Sequence, residues 1–254
     1  MADTAMPDGG ARAAAPPRLL ILWSMPRSRS TAFFRMMAER GDMAVVHEPF
    51  SYLAEFGSTE IDGRKVSTQR ELVSALREKS AREPVFVKDT TDERYADVLT
   101  DDEFLATDAT HTFLVRHPRE TIASYHRVNP RVACHQIGAE HLYELHAAVT
   151  AAAGQPVVVD AADLVDEPAG VLRRYCESVG IPFLPSALTW SAGERAEWRP
   201  SAAWHRDVSR TTGFVSTPDA ARPPLDVDTD PVLRGYLAHH LPYYEKVRAS
   251  RIRP

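Results

Sequence analysis

The chain has 254 residues, long enough for one large α/β domain or at most two small ones, and its 44% hydrophobic and 26% charged residues, with a formal net charge of −5, are ordinary for a soluble globular protein. The charge is spread without a basic face or tail, which argues against nucleic-acid binding through a broad electrostatic footprint. No apolar run approaches the ~18 residues of a membrane span, so no membrane insertion is expected.

Cys134 and Cys176 are too few for a disulfide framework, and a reduced, cytoplasmic compartment is the simpler expectation. Residues 1–17 are rich in Ala, Pro, Gly and Asp, with neither a basic nor an apolar signal region. They are expected to form a disordered leader ahead of a single domain over 18–254. Only Lys65, Lys79, Lys88 and Lys246 accompany the many arginines, which makes Arg the default anion ligand.

In chain order, Leu19 to Trp23 is an apolar run of strand length, Met25 to Ser30 a polar turn around Pro26, and Thr31 to Glu39 a helical pattern with Phe33, Phe34, Met36 and Met37 to bury. Strand, tight turn and helix aim the free N–H groups and positive dipole end of the helix at the turn. Arg27 and Arg29, with Ser28, Ser30 and Thr31, add two cations and three hydroxyls there, a set suited to a phosphate or sulfate group. It is not a Walker A loop, because GxxxxGKS/T is absent and no lysine lies in it.

Met43 to Val46 is a short strand ending in His47-Glu48-Pro49, which places polar side chains at the carboxyl edge of a sheet. Ser51 to Lys65 lacks a clear period and reads as a lid or a loop facing substrate. Thr68 to Arg82 is an amphipathic helix with Leu72, Val73 and Leu76 on one face. Val85 to Val87 is a third strand ending in Lys88-Asp89, followed by an acidic irregular segment from Asp92 to Asp108.

His111 to Val115 is a fourth strand with Arg116 at its end, and Pro118 to Arg127 a helix with proline at its first position. Residues 138–153 are helical, Val157 to Val159 is a fifth strand, and Asp166 is the expected cap of a helix from Pro168 to Val179 closed by Gly180. Ser186 to Pro231 has little periodicity, which marks it as functional or disordered. Val232 to Ser250 is a last helix that Pro242 should kink or interrupt. Five short strands separated by helices predict an α/β fold of three layers, a central parallel sheet of about five strands flanked by helices and P-loop-like. His135, His141 and His146 lie on or near one helix without the spacing of a zinc site, and Trp190, Trp198 and Trp204 read as packing residues.

Three strand ends thus carry polar groups to one edge: Arg27 to Thr31, His47 with Glu48, and Arg116. Ser124, eight residues after Arg116, can face the same anion from the second turn of its helix, which suggests a second phosphate pocket about one nucleotide from the first.

At this point the sequence resembles the sulfotransferases that use 3′-phosphoadenosine 5′-phosphosulfate (PAPS). PRSRSTAFFR is similar to their 5′-phosphosulfate loop, often PKSGTTW or PRSGSTL, with Arg27 at the basic position. LVRHPRETIASY resembles their 3′-phosphate motif, which makes Arg116 and Ser124 the 3′-phosphate ligands. HEPF is similar to bacterial members whose acidic residue here serves as the base. Two features depart from the family: no histidine follows the third strand, and the C-terminal RKGxxGDWK loop is not evident, with Trp204 to Gly213 as a divergent counterpart.

The resemblance implies transfer of a sulfuryl group from PAPS to a hydroxyl, with an amine as second choice, of a small-molecule acceptor such as a bacterial metabolite, releasing 3′,5′-ADP. Arg27 would stabilise the leaving oxygens, Arg29, Ser28, Ser30 and Thr31 would hold the 5′-phosphate, and Lys88 would add charge near the sulfuryl group. Glu48 is the first choice of general base, with His47 and Asp89 in reserve. No metal is expected, since arginines already surround a group less charged than a γ-phosphate. The alternative is a small-molecule kinase or a nucleotide-binding module without turnover, which the missing Walker lysine and magnesium-binding aspartate disfavour. Acceptor identity and oligomeric state have no signal in the sequence.

Overall fold

Leu19–Ser24 forms β1, and all of its residues are buried. A strand covered on both faces needs no polar alternation, which is why its sequence is a continuous apolar run. The computed structural model describes residues 16–214 and 226–254, so residues 1–15 of the expected leader and 215–225 of the aperiodic stretch lie outside the described part.

After β1 come α1 (Ser30–Arg40), β2 (Ala44–His47), α2 (Pro49–Phe56), β3 (Thr59–Ile61), β4 (Arg64–Val66), α3 (Gln69–Arg82) and β5 (Val85–Thr90). Next are α4 (Ala96–Leu99), β6 (Thr110–Val115), α5 (Pro118–Val128), α6 (Ala139–Ala153), β7 (Val157–Asp160), α7 (Ala161–Asp166), α8 (Pro168–Val179) and α9 (Pro231–Arg248). Short 3-10 turns at Cys134–Ile137, Pro185–Leu188, Ala196–Trp204 and Val208–Arg210 and a π-type turn at Phe104–Asp108 fill the connections.

The main sheet is parallel, in the order β2-β5-β1-β6-β7, so the predicted five-stranded parallel sheet between helical layers is the observed one. Leu20 and Leu22 pack with Phe33, Phe34, Met36 and Met37 of α1 and with Val171 and Tyr175 of α8 on one face. Leu19, Ile21 and Trp23 pack on the other with Leu72 and Leu76 of α3, Leu142 of α6 and Leu237 of α9. Ile122 and Tyr125 of α5 belong to this second face. The helices that follow the neighbouring strands β1 and β6 therefore diverge to opposite faces, which opens a crevice at their carboxyl ends, the place where open α/β sheets take ligands.

Several expectations change. The predicted loop Ser51–Lys65 is α2 plus the β3-β4 hairpin, whose turn residues Asp62 and Gly63 both have positive φ, the backbone an Asp-Gly hairpin requires. Strand β5 extends to Thr90, so Lys88 and Asp89 lie inside it. The cap of α8 is Glu167, because Asp166 closes α7. Helix α9 continues through Pro242: one missing N–H costs one hydrogen bond, while Leu233, Leu237, His240, Tyr244 and Val247 hold the helix by burial on both sides of it. The acidic segment after Asp92 contains α4 and the π-type turn.

Candidate active site

The loop after β1 turns sharply because Arg27 (φ 59°) and Arg29 (φ 69°) both take left-handed backbone. Arg29 is also the N-cap of α1 and makes no side-chain capping bond, and the first turn of α1 has no acidic residue, so its positive end has no carboxylate of its own helix. Arg27 Nε donates to Ser124 Oγ at 3.2 Å and its Nη1 to the Trp204 carbonyl at 2.7 Å. Arg116, at the end of β6, donates from Nη1 to the Arg27 carbonyl at 2.7 Å and from Nε to Glu120 at 2.9 Å. The two predicted anion motifs are therefore in direct contact. Burial and then the nearness of Arg116 lower the pKa of Arg29; burial and Arg116 do the same to Arg27, against the opposing pull of Asp207. Each motif also holds a buried hydroxyl without a hydrogen-bond partner among the described residues, Ser28 Oγ in the first and Thr121 Oγ1 in the second. An anion that accepts hydrogen bonds fits such a set.

On the other side of the crevice, the Lys88 ammonium pairs with Glu48 Oε1 in an almost fully buried contact. Burial alone would raise the Glu48 carboxyl; Lys88, with His47 and His205 behind it, outweighs burial and holds it at about 2. Lys88 and Glu48 line a cavity of about 550 Å³ together with Arg27, Arg29, Arg116 and Ser124.

The reserve bases sit elsewhere. Successive residues of a strand face opposite sides, so Asp89 points away from Lys88, into the α2 side of the sheet. Its Oδ2 accepts from Phe50 N at 2.6 Å, and its Oδ1 from Ser51 N, Ser51 Oγ and Thr90 N at 3.1, 2.6 and 2.9 Å. Burial presses its pKa up to about 7 against these donors. With both oxygens occupied, Asp89 anchors the first turn of α2 and does not face the cavity. His47 is buried behind Glu48, and burial keeps it well below the usual imidazole range.

His47 also begins a chain of contacts that no sequence pattern announces. Its Nδ1 lies 2.9 Å from Tyr52 OH, which is 2.8 Å from Ser201 Oγ; Ser201 is 2.9 Å from His205 Nε2, and His205 Nδ1 is 3.0 Å from Thr31 Oγ1. These contacts join residues up to 174 positions apart, and no spacing rule encodes them. Trp204, read as packing, lines the cavity and meets Tyr125 edge-on at 5.2 Å, whereas Trp190 and Trp198 are buried. Acidic Glu55, from the stretch 50–65, and Asp92 and Glu93, from the segment after Asp89, line the cavity as well, in stretches that the sequence marks for the acceptor side.

A family profile described as "Sulfotransferase domain" matches residues 18–251. The chain belongs to the sulfotransferase family. Its fold is that of the sulfotransferase domain from the curacin biosynthetic pathway, with a TM-score of 0.54 at 15% identity over 94% of this chain and 99% of that one. Two Arabidopsis thaliana proteins, branched-chain-amino-acid aminotransferase-like proteins 2 and 1, are each 28% identical to this sulfotransferase, over 206 and 211 residues. The matches cover 76% and 80% of this chain but 36% and 37% of theirs, so the chain spans little more than a third of the length of these curated relatives.

Proposed function

We propose that this sulfotransferase uses PAPS as donor and transfers its sulfuryl group to a hydroxyl of a small metabolite, with an amine as the second choice. The observation that carries the reading is the contact of the two anion motifs, Arg116 Nη1 on the Arg27 carbonyl and Arg27 Nε on Ser124. A nucleotide phosphorylated at both the 3′ and 5′ positions of one ribose carries two anions within a few ångströms, which calls for adjacent and not distant pockets. When bound, PAPS supplies a sulfuryl group already joined to a good phosphate leaving group.

The chain's own residues then divide the work. Arg27 and the start of α1 stabilise negative charge on the leaving side, with Arg29, Ser28, Ser30 and Thr31 around the 5′-phosphate; Arg116 and Ser124 serve the 3′-phosphate. Glu48 is ionised and lines the cavity, so it is the group to take the acceptor proton; its basicity rises when Lys88 turns to a competing anion. Asp89, tied into α2, and His47, behind Glu48, serve as supports.

Isothermal titration tests the reading. The protein is expected to bind 3′,5′-ADP without magnesium and to prefer it to Mg·ATP. Arg116→Ala should weaken that binding roughly tenfold to hundredfold, the ~1.5–3 kcal/mol of a hydrogen bond to a charged group. A preference for Mg·ATP overturns the proposal in favour of a kinase.

A further inference from the structure

We propose that Cys134, His239 and His240 form a binding site for a zinc-class transition-metal ion on the α9 side of the fold, apart from the catalytic cavity. Cys134 starts the 3-10 turn at Cys134–Ile137, while the two histidines sit on α9, 106 positions away in the case of His240. The thiol sulfur and one ring nitrogen from each histidine all lie within 4.8 Å of one another. Cys134 Sγ is 3.6 Å from His240 Nε2. Zinc bonds of about 2.3 Å to sulfur and about 2.0–2.1 Å to nitrogen, at a tetrahedral angle, place those two atoms about 3.6 Å apart.

The surroundings fit a ligand set. His240 is fully buried, with its Nε2 turned to the Cys134 thiol. Glu140 Oε2 lies 2.8 Å from His239 Nε2, and its Oε1 accepts from Tyr243 OH at 3.1 Å. A carboxylate so placed orients a metal-bound imidazole, and with both oxygens engaged it leaves the fourth corner to water. His239 is exposed and Cys134 half-buried, which gives the ion a way in.

In the structure as it stands, His240 Nε2 lies 2.7 Å from the Cys134 carbonyl. Metal binding exchanges that contact for a metal–nitrogen bond: the ring proton moves from Nε2 to Nδ1, the Cys134 thiol releases its proton to solvent, and the thiolate takes the cation. A thiol with two imidazoles selects zinc or copper over magnesium or calcium. The ion would clamp α9 to the 134–137 turn, whose Gln136 belongs to the cavity wall.

Cobalt(II) is the probe, added to the full chain after chelator treatment. One equivalent is expected to bind with tetrahedral d–d bands and a thiolate-to-cobalt charge-transfer band, and zinc should displace it. Cys134→Ser should abolish the charge-transfer band, and His239→Ala, which alters an exposed ring, should weaken cobalt binding at least tenfold while the circular-dichroism spectrum stays unchanged. An octahedral spectrum without charge transfer overturns the proposal. So does a charge-transfer band that survives Cys134→Ser, which would assign it to Cys176, or wild-type affinity in His239→Ala. Another group of potential ligands among the described residues, His47, Glu48 and His205, lies at the catalytic cavity and holds no cysteine, so it cannot produce the thiolate band. The measurement uses neither nucleotide nor turnover, and its outcome is independent of the donor.

Discussion

Among the described residues, four that are not glycine adopt left-handed backbone: Arg27, Arg29, Glu48 and Asp62. Asp62 belongs to a hairpin turn, where the conformation is ordinary; the other three line the cavity. Each costs on the order of 1–2 kcal/mol, a strain that persists where it aims a functional group. Glu48 repeats the pattern in its charge. With a depressed folded-state pKa, its contribution to stability is fully present above the ordinary carboxylate value of 4.5 and is lost as pH falls toward about 2. The same pairing keeps Glu48 ionised in the free enzyme throughout the neutral range. Removing the ammonium with Lys88→Met leaves burial as the leading influence, and the Glu48 pKa then rises. The acid limb of kcat/KM against pH should accordingly move upward in Lys88→Met, measured on its residual activity. Glu48→Gln should lower kcat by about 10²–10⁴ and remove that limb. A profile identical in Lys88→Met and wild type would show that Glu48 is not the base.

At the level of elements, the turns set the site as much as the strands do. Gly138 joins the 134–137 turn to α6 at φ 80°, and a Cβ there would lie 2.8 Å from both Pro26 Cδ and the Thr91 carbonyl. Thr91 Oγ1 in turn donates to the Gly138 carbonyl at 2.9 Å. Three segments distant in sequence, the anion loop, the end of β5 and the start of α6, thus meet at a position that admits no side chain. Gly138→Ala should therefore destabilise the fold by about 1–3 kcal/mol in urea unfolding and weaken 3′,5′-ADP binding by displacing Pro26. A variant with wild-type stability would mean that the loop at Pro26 gives way freely. The Asp89 contacts with Phe50 and Ser51 illustrate the same economy, since one buried carboxylate in β5 fixes where α2 begins.

Across the whole molecule, the segment 191–205 folds back over α1 and the anion loop. Arg35 donates to the Gly193 and Ser191 carbonyls at 3.0 and 2.7 Å, Arg27 to the Trp204 carbonyl, and Thr31 meets His205. Binding of 3′,5′-ADP is expected to slow hydrogen exchange together in residues 25–31, 116–124 and 200–206; protection confined to the first two would detach the returning segment from the donor site. The parts of this architecture that were legible in the sequence are the local ones. Apolar runs of strand length, helical periods, Pro118 at a helix start and Gly180 at a helix end are set by neighbours a few residues away, and they were enough to foresee the parallel sheet and the grouping of Arg27, Glu48 and Arg116 at one edge. Adjacent letters such as Lys88 and Asp89 looked like one functional group, and only the extension of β5 through them, with its alternation of faces, sent one to the cavity and the other to α2. Likewise the chain from His47 through Tyr52, Ser201 and His205 to Thr31, and the meeting of Cys134 with α9, arise from packing between distant segments, whose contacts depend on the folded geometry and leave no periodic trace in the chain.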